Sequence, residues 1–170
     1  PLDGLEKAAD GFYDAPQTIF DGRNCVGEDC WAAKGIQYVV IKKNGRRYHL
    51  FATHLQSTSP LLKSSQRAAE VMMGQTGSLG AWVKEWGIPK DEPVLIAGDF
   101  NFDADDPVVS AQALENLNAV LPERLGLPRH SFVMATPRSS KQSLDHVLYS
   151  RSHRKPTSAQ QITIVPAGML

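Results

Sequence analysis

The stretch VLIAGDFN, from Val94 to Asn101, joins an apolar segment directly to a polar turn. Its apolar residues follow Pro93 without interruption, which is typical of a strand buried on both faces. Gly98 lets a backbone or a ligand approach closely at the end of this strand. Asp99 and Asn101 then place a carboxylate, which accepts hydrogen bonds, beside a carboxamide that can donate them. The stretch therefore predicts a central strand that ends in a polar site.

The Asp99 and Asn101 pair suits a phosphoryl group. Asp99 can hold a nucleophilic or metal-bound water, and the Asn101 amide can donate to a non-bridging phosphate oxygen. An Asx-turn that ends the strand explains the same two residues. The spacing alone leaves both interpretations open.

Two β-branched and aromatic segments precede the central strand, Ile36–Ile41 and Tyr48–Thr53. They flank Asn44-Gly45, a strong signal for a tight turn, and so predict an antiparallel hairpin. His54 follows the second segment directly. A histidine at a strand end can reach into a cleft, although a structural histidine bonded to a nearby loop fits the same position.

A third motif, SLDHVL at Ser143–Leu148, places a polar pair inside an apolar strand. Neighbouring residues of a strand point to opposite faces, so Asp145 and His146 do not enter one site together unless the strand is bulged.

The rest of the chain alternates between helical and extended patterns. We expect residues 1–34 to form a loop-rich opening segment with one short helix near Leu5–Ala9, and residues 128–143 to form a surface loop. Apolar spacing predicts a helix over residues 61–87, broken near Gly74 to Gly80 because glycine disfavours helix interiors. Further predicted elements are a helix at Pro107–Leu121 and strands at Leu144–Tyr149 and Ile162–Val165.

Composition places the chain among ordinary globular domains. It has 170 residues, of which 42% are hydrophobic and 21% charged, the size of one domain. Lys plus Arg and Asp plus Glu both number 18, so no global field favours nucleic acid. The basic run at residues 151–155 is typical of a solvated loop. No apolar stretch reaches the length of about 18 residues needed to span a membrane.

Cys25 and Cys30 are the two cysteines. A zinc site needs about four ligands, and no second pair lies at ligand spacing, so a metal there is disfavoured. A local disulfide and two free thiols remain as interpretations, and the disulfide favours an oxidising compartment.

In this order, the His54, Gly98-Asp99-Phe100-Asn101 and Leu144-Asp145 motifs resemble the endonuclease/exonuclease/phosphatase superfamily. The resemblance implies an α+β fold, a four-layer α/β/β/α sandwich with its site where strand loops converge. Residues 1–170 would be a single partial catalytic domain holding the central and C-terminal part of that sandwich.

Within the superfamily, the chain looks most like the bacterial secreted neutral sphingomyelinases. The likeness runs from Gly22 onward and is dense from Cys25 through Lys34-Gly35 to Gln56, and again around Asp99 and Asp145. It implies a secreted, extracellular bacterial enzyme that hydrolyses sphingomyelin at a membrane surface, by peripheral contact, to ceramide and phosphocholine. The implied cofactor is Mg²⁺, or another divalent cation such as Mn²⁺ or Co²⁺.

Site roles carry over by resemblance. His54 matches the histidine that contacts the phosphate, and Asp99 and Asn101 match the pair that orients water and phosphate. Asp99 is also the candidate metal ligand, and His54 and Asn101 bind substrate. Asp145 matches a carboxylate that orients a catalytic histidine further downstream.

The sequence departs from the family pattern in two ways. The family usually has Tyr at His146, so we interpret His146 as a neighbour of the site and not as a general base. The metal-binding Glu and an Asn of earlier strands, and a Ser-Asp-His before the last strand, have no counterpart here. We therefore expect a fragment that binds magnesium weakly and turns over little. Two alternatives remain, a nuclease of the same superfamily, which the neutral charge disfavours, and an inactive binding domain on the same scaffold.

Overall fold

The apolar segments singled out above form neighbouring strands of one mixed sheet in a computed structural model of the chain. The structure describes residues 5–9, 25–32, 34–58, 65–125, 132–133 and 141–162. Its strands and α-helices are β1 (Leu5–Ala9), β2 (Ile36–Lys43), β3 (Arg46–His54), α1 (Ser65–Glu85), β4 (Val94–Asp99), α2 (Pro107–Asn116), β5 (Ala119–Val120), β6 (Glu123–Leu125), β7 (Phe132–Val133), β8 (Lys141–Gln142), β9 (Asp145–Ser150) and β10 (Gln160–Ile162). A short 3-10 helix covers Gly27–Cys30.

The main sheet has six strands in the order β1-β2-β3-β4-β9-β5. β3 and β4 are parallel and α1 lies between them in the chain, whereas the other neighbours are antiparallel. Two small ribbons accompany this sheet, β6 with β10 and β7 with β8. The parallel β3–β4 pair brings the C-terminal ends of two successive strands to one edge.

The predicted hairpin is confirmed as β2 and β3, and both strands are longer than predicted. Asn44 and Gly45 have φ angles of 52° and 74°. Positive φ at both central residues characterises a type I′ turn, whose twist matches that of the flanking strands. Local turn chemistry thus fixes the register of all eight pairs from Ile36↔Thr53 to Lys43↔Arg46.

The predicted break in the first helix is wrong, because α1 runs without interruption through Gly74, Gly77 and Gly80. A Cβ on Gly80 would lie 2.0 Å from the Asn116 carbonyl oxygen, so this glycine allows α1 and α2 to pack closely. Met72, Leu79 and Val83 bury the helix against the sheet. Tertiary packing outweighs the weak helix propensity of glycine.

Two other predictions are corrected. Leu5–Ala9 is strand β1, paired antiparallel with β2, because sheet pairing overrides helix-favouring residues such as Leu, Glu and Ala. α2 begins as predicted at Pro107 but ends at Asn116, not Leu121. Asn118 takes a φ of 47°, and β5 then pairs with β9. Within the loop predicted at 128–143, residues 132–133 and 141–142 pair as the strands β7 and β8. Residues 128–131, 134–140 and 163–165 lie outside the described residues.

The two faces of the sheet differ in burial. One face, here called the helix face, meets α1 through buried side chains such as Ile36, Phe51, Ile96 and Leu148. Trp82 and Trp86 pack against that core, with ring centroids 5.9 Å apart. The other face, here called the second face, carries half-buried or exposed residues, and Val147 on it is 47% exposed. The described residues thus form an α+β arrangement of one large sheet with helices against one face.

Candidate active site

Strand register gathers three of the predicted site residues in one row. His54 ends β3 and pairs with Asp99 at the end of parallel β4, while Asp99 pairs with Asp145 at the start of antiparallel β9. Directly paired residues on adjacent strands share a face of the sheet. Burial alternates along each strand and puts all three on the second face, at one end. With Asn101, they are called the strand-end cluster below.

Gly98 makes this close approach possible. Its φ of 147° is rare for residues with a side chain, and a Cβ there would lie 1.9 Å from the Thr53 carbonyl oxygen. The backbones of β3 and β4 therefore approach more closely than any other residue would permit. This confirms the prediction of a close approach at Gly98.

Asp99 and Asn101 form the Asx-turn that the sequence left open. The Asn101 backbone N–H donates to Asp99 Oδ1 at 2.9 Å, and Asn101 takes a φ of 53°. The Asn101 side chain is buried, and its Nδ2 donates to the Leu55 carbonyl oxygen at 2.9 Å. A carboxamide has two N–H donors, so this bond fixes its orientation while using one of them.

His54 lies between a cation and a carboxylate. Its Nε2 is 3.2 Å from the Lys34 ammonium and 3.6 Å from Asp99 Oδ2. An ammonium can only donate, so Nε2 accepts from Lys34 and the proton of the neutral ring sits on Nδ1. The His54 side chain is 58% exposed, which leaves it open to a ligand.

Burial raises the pKa of Asp99 above its ordinary value of 3.8. The hydrogen bond from the Asn101 backbone opposes this, and the nearby charge of Asp145 adds to it. His54 and Lys34 lower the pKa, by less. A carboxylate whose pKa is raised is a stronger base than an ordinary aspartate.

Sequence reasoning missed the residues that hold His54 in place. Lys34 donates to the Leu55 carbonyl oxygen at 2.7 Å and pairs with Asp29 at 2.8 Å, and its side chain is only 8% exposed. The Gln56 amide donates to Asp29 Oδ2 at 2.8 Å. Asp29 and Lys34 precede the hairpin and Gln56 follows His54 by two residues, so nearness in sequence to the hairpin was the available signal.

A disulfide closes the segment that carries Asp29. Cys25 and Cys30 are bonded, with an S–S distance of 2.01 Å, so the disulfide is the interpretation that holds. Val26 exchanges two hydrogen bonds with the Gln56 side chain, at 2.8 and 3.1 Å. Residues 25–32, here called the disulfide loop, are thereby attached to the chain just after His54.

β9 separates the polar pair as predicted. Asp145 is exposed on the second face, whereas His146 is 2% exposed on the helix face. His146 Nε2 lies 3.2 Å from the Phe102 carbonyl oxygen, and its ring stacks on that of Phe102 with centroids 4.7 Å apart. These contacts make His146 a core residue next to the cluster.

The fit to a magnesium ion is partial. Asp99 and Asp145 offer carboxylate oxygens of the kind that magnesium binds. In the described part of the chain, however, no group of three or more His, Cys, Asp or Glu side chains is arranged to hold a metal ion. The strand-end cluster can therefore supply part of a magnesium site.

A separate groove of about 470 Å³ lies at the other end of the strands, on the second face. Its lining includes Arg46, Tyr48, Tyr149, Arg154 and Lys155. The last two belong to the basic run at residues 151–155 and are exposed, as predicted for a solvated loop. The groove contains no residue of the strand-end cluster. None of the described helices is long and apolar enough to cross a membrane.

The chain is similar to several known proteins in sequence and in structure. Sphingomyelinase C 1 of Leptospira interrogans is 29% identical over 160 residues, which cover 88% of this chain and 26% of the relative. The crystal structure of sphingomyelinase C from Streptomyces griseocarneus superposes with a TM-score of 0.73 at 30% identity, over 82% of this chain and 50% of the other. Beta toxin of Staphylococcus aureus, as an F277A, P278A mutant with bound magnesium ions, gives a TM-score of 0.70 at 28% identity.

The chain spans about a quarter of the Leptospira relative and about half of each solved structure. The sequence profile described as the Endonuclease/Exonuclease/phosphatase family matches residues 23–166, which include the whole strand-end cluster and the disulfide loop. By this match and by its fold, the chain belongs to the endonuclease/exonuclease/phosphatase family.

Proposed function

We propose that this chain carries the phosphate-facing part of a phosphodiesterase that hydrolyses sphingomyelin to ceramide and phosphocholine. The observation that carries the proposal is the row of His54, Asp99 and Asp145 at paired positions of adjacent strands, with Lys34 against His54. Similarity to proteins named sphingomyelinase C supports the substrate.

Asp99, His54 and Asn101 act directly in breaking the ester bond, and Lys34 positions His54. Asp99, whose pKa burial raises, accepts a proton from the water that attacks phosphorus. The P–O bond to ceramide breaks as the new P–O bond forms. The ceramide oxygen takes up a proton from solvent, and Asp99 releases to solvent the proton that it accepted from the attacking water. His54 faces the phosphoryl oxygens and stabilises their negative charge. Lys34, bonded to His54, Asp29 and the Leu55 carbonyl oxygen, holds this histidine in place. The second N–H of Asn101 is the donor available to a non-bridging oxygen.

Magnesium is the proposed cofactor, and Asp99 is the proposed ligand. When bound, it would neutralise charge on the phosphoryl oxygens. Because the described residues hold no three-ligand group, we expect weak magnesium binding and slow turnover from the 170 residues. The disulfide supports a secreted protein, since such bonds persist in oxidising compartments.

The test measures phosphocholine release from sphingomyelin liposomes, with plasmid DNA in parallel and with magnesium followed by EDTA. We expect slow, magnesium-dependent release that falls at least about a hundredfold in His54→Ala and Asp99→Asn. The control is Asp91→Asn, an exposed aspartate in the turn before β4.

Each outcome distinguishes one of the three hypotheses, a sphingomyelin phosphodiesterase, a nuclease and an inactive binding domain, from the other two. Plasmid nicking without phosphocholine release would favour a nuclease. Liposome binding with neither reaction would favour an inactive binding domain. Release that survives both site substitutions would contradict the proposed site.

A further inference from the structure

The strand that carries Asp145 is paired along the whole of one edge and along only part of the other. On one edge, β4 pairs with β9 from Asp145 to Tyr149. On the opposite edge, β5 pairs only with Tyr149 and Ser150. Within the described part of the chain, no strand pairs with residues 145–148 on this opposite edge. The backbone of β9 next to the strand-end cluster therefore presents an open edge.

The Gln161 side chain occupies this open edge. Its Oε1 accepts from the Val147 backbone N–H at 3.1 Å, and its Nε2 donates to the Asp145 carbonyl oxygen at 2.9 Å. Both ends of the carboxamide are thus used, so only one orientation of the amide satisfies both partners. Gln161 bonds to β9 as a residue of a neighbouring strand would, but through its side chain in place of its backbone.

The backbone of Gln161 is held independently of this contact. Gln161 lies in β10, which runs parallel to β6, and its register partner is Arg124. β6 begins only two residues after β5 ends, and β5 is paired with the C-terminal end of β9. The ribbon of β6 and β10 is therefore attached to the main sheet, and it presents Gln161 from a paired strand.

The two bonds of Gln161 fall at the start of β9, where the strand enters the strand-end cluster. Asp145 pairs with Asp99 of β4, so the two side chains share the second face. The Phe100 backbone N–H also donates to the Leu144 carbonyl oxygen at 2.9 Å, just before Asp145. Both of these contacts come from the side of β4. Gln161 supplies the constraint on the opposite edge.

We propose that Gln161 is a positioning residue of the active site, which fixes the Asp145 carboxylate within the strand-end cluster by bonding the open edge of β9. The proposal rests on the proposed function for the reaction that the cluster serves. Its contact with β9 belongs to the folded chain and needs no turnover, so the two can fail separately. Position matters because a misplacement of about 1 Å can cost about a hundredfold in rate.

The test compares Gln161→Met with the parent chain. Methionine is an unbranched side chain that cannot donate an N–H, so it removes the bond to Asp145 while filling similar space. We expect kcat for phosphocholine release from sphingomyelin liposomes to fall about tenfold with KM changed less than about twofold, because the reacting groups are misplaced and substrate binding is not affected. Gln160→Met, at the exposed neighbour in β10, is the matched control and should keep the parent kcat.

A second variant separates the donor of Gln161 from its polarity. Gln161→Glu keeps an acceptor for the Val147 N–H, but at neutral pH its carboxylate has no donor for the Asp145 carbonyl oxygen. We expect Gln161→Glu to lose at least as much kcat as Gln161→Met. Parent kcat in either variant would overturn the proposal.

A double-mutant cycle shows whether Gln161 acts through Asp145. Asp145→Ala should reduce kcat by itself, and adding Gln161→Met should reduce it no further, because the side chain to be positioned is gone. All variants are compared below their unfolding transitions in urea, so that a loss of stability does not lower kcat. Reductions that multiply in the double variant would show that Gln161 does not act through Asp145 and would overturn the proposal.

Hydrogen exchange and NMR distinguish this proposal from the proposed function. Gln161→Met should speed exchange of the Val147 backbone N–H about tenfold or more and shift the Asp145 carboxyl carbon signal, whereas Gln160→Met should change neither. Both changes in a chain that releases no phosphocholine would leave Gln161 as the constraint on Asp145 and remove the enzymatic function. Phosphocholine release by the parent, with both signals unchanged in Gln161→Met, would do the reverse.

Discussion

Asp99 balances opposing charges within one row of strand ends. Burial and the Asp145 carboxylate raise its pKa, whereas the Asn101 backbone N–H, His54 and Lys34 lower it. The pKa of Asp99 thus depends on Lys34 before β2, His54 at the end of β3 and Asp145 at the start of β9. Substituting a neighbour should move this pKa in a direction that the geometry fixes.

Asp145→Asn should lower the pKa of Asp99, because it removes a negative charge that disfavours the ionised form. Lys34→Met should raise that pKa, because it removes a cation that favours the ionised form. Carbon-13 NMR titration of the aspartate carboxyl carbons measures both shifts. Asp91→Asn should leave the pKa of Asp99 unchanged. A rise of the Asp99 pKa in Asp145→Asn would contradict the arrangement of charges.

The sequence predicted the face of the sheet on which a side chain lies better than it predicted which distant residues that side chain contacts. Strand alternation correctly placed Asp145 and His146 on opposite faces, because that rule needs no knowledge of the rest of the fold. The bond between Asn101 and the Leu55 carbonyl oxygen joins residues 46 positions apart. No local pattern encodes it, and the same is true of Lys34 beside His54.

At the scale of elements, the packing of α1 against α2 determines which glycine of α1 is needed for close contact. Gly80 meets the carbonyl oxygen of Asn116, whereas a Cβ on Gly77 would have nothing within 4 Å. The Asn116 side chain also reaches across, with Nδ2 donating to the Met73 carbonyl oxygen at 3.2 Å. Both glycines have the same low helix propensity, but only Gly80 lies at the contact between α1 and α2.

Gly80→Ala should lower the free energy of unfolding by about 1–3 kcal/mol, because its methyl group forces the helices apart. Gly77→Ala should instead raise it by about 0.5–1 kcal/mol, since alanine has the higher helix propensity and meets no neighbour. Urea unfolding of both variants provides the comparison. Equal effects of the two substitutions would show that the close approach at Gly80 has no energetic role.

The turns and helix starts that neighbouring residues determine were predicted from the sequence. The short strands that form by pairing with another strand were missed. Asn44-Gly45 specifies its own turn, and Asp106 with Pro107 specifies the start of α2. β1 and β5 form only because β2 and β9 present open edges to them. Short strands of this kind follow from the completed sheet and not from their own residues.

Across the molecule, a second polar network fastens the sheet at the end opposite the strand-end cluster. The Tyr38 hydroxyl lies 2.5 Å from His49 Nδ1, and His49 Nε2 lies 2.5 Å from the Glu92 carboxylate. Arg47 donates to the other Glu92 oxygen at 2.9 Å. The network ties the hairpin to the turn before β4, so the two ends of β3 are held by different kinds of contact.

Glu92 should make stability depend on pH. Partial burial acts to raise its pKa, but hydrogen bonds from Arg47 and His49 outweigh this and hold the pKa below its ordinary value of 4.5. A lowered carboxylate pKa contributes stability that is fully present above the unfolded value and is lost as pH falls through the folded value. Stability should therefore decline in the acid range below about pH 4.5.

Glu92→Gln should reduce stability by about 1–3 kcal/mol at neutral pH and flatten this acid decline. Urea unfolding followed from neutral to acid pH measures both effects. Glu85→Gln, an exposed substitution at the end of α1, serves as the control and should keep the decline. An acid decline of full size in Glu92→Gln would assign it to other carboxylates.

The close approach at Gly98 limits how the gene can vary. Every single-base change of a glycine codon that alters the amino acid introduces a residue with a Cβ, which here would meet the Thr53 carbonyl oxygen at 1.9 Å. At position 98, therefore, every single-base change other than a silent one is expected to strain the β3–β4 pair. Sequence variation at this end of the sheet should fall in the surrounding loops, with glycine retained at position 98.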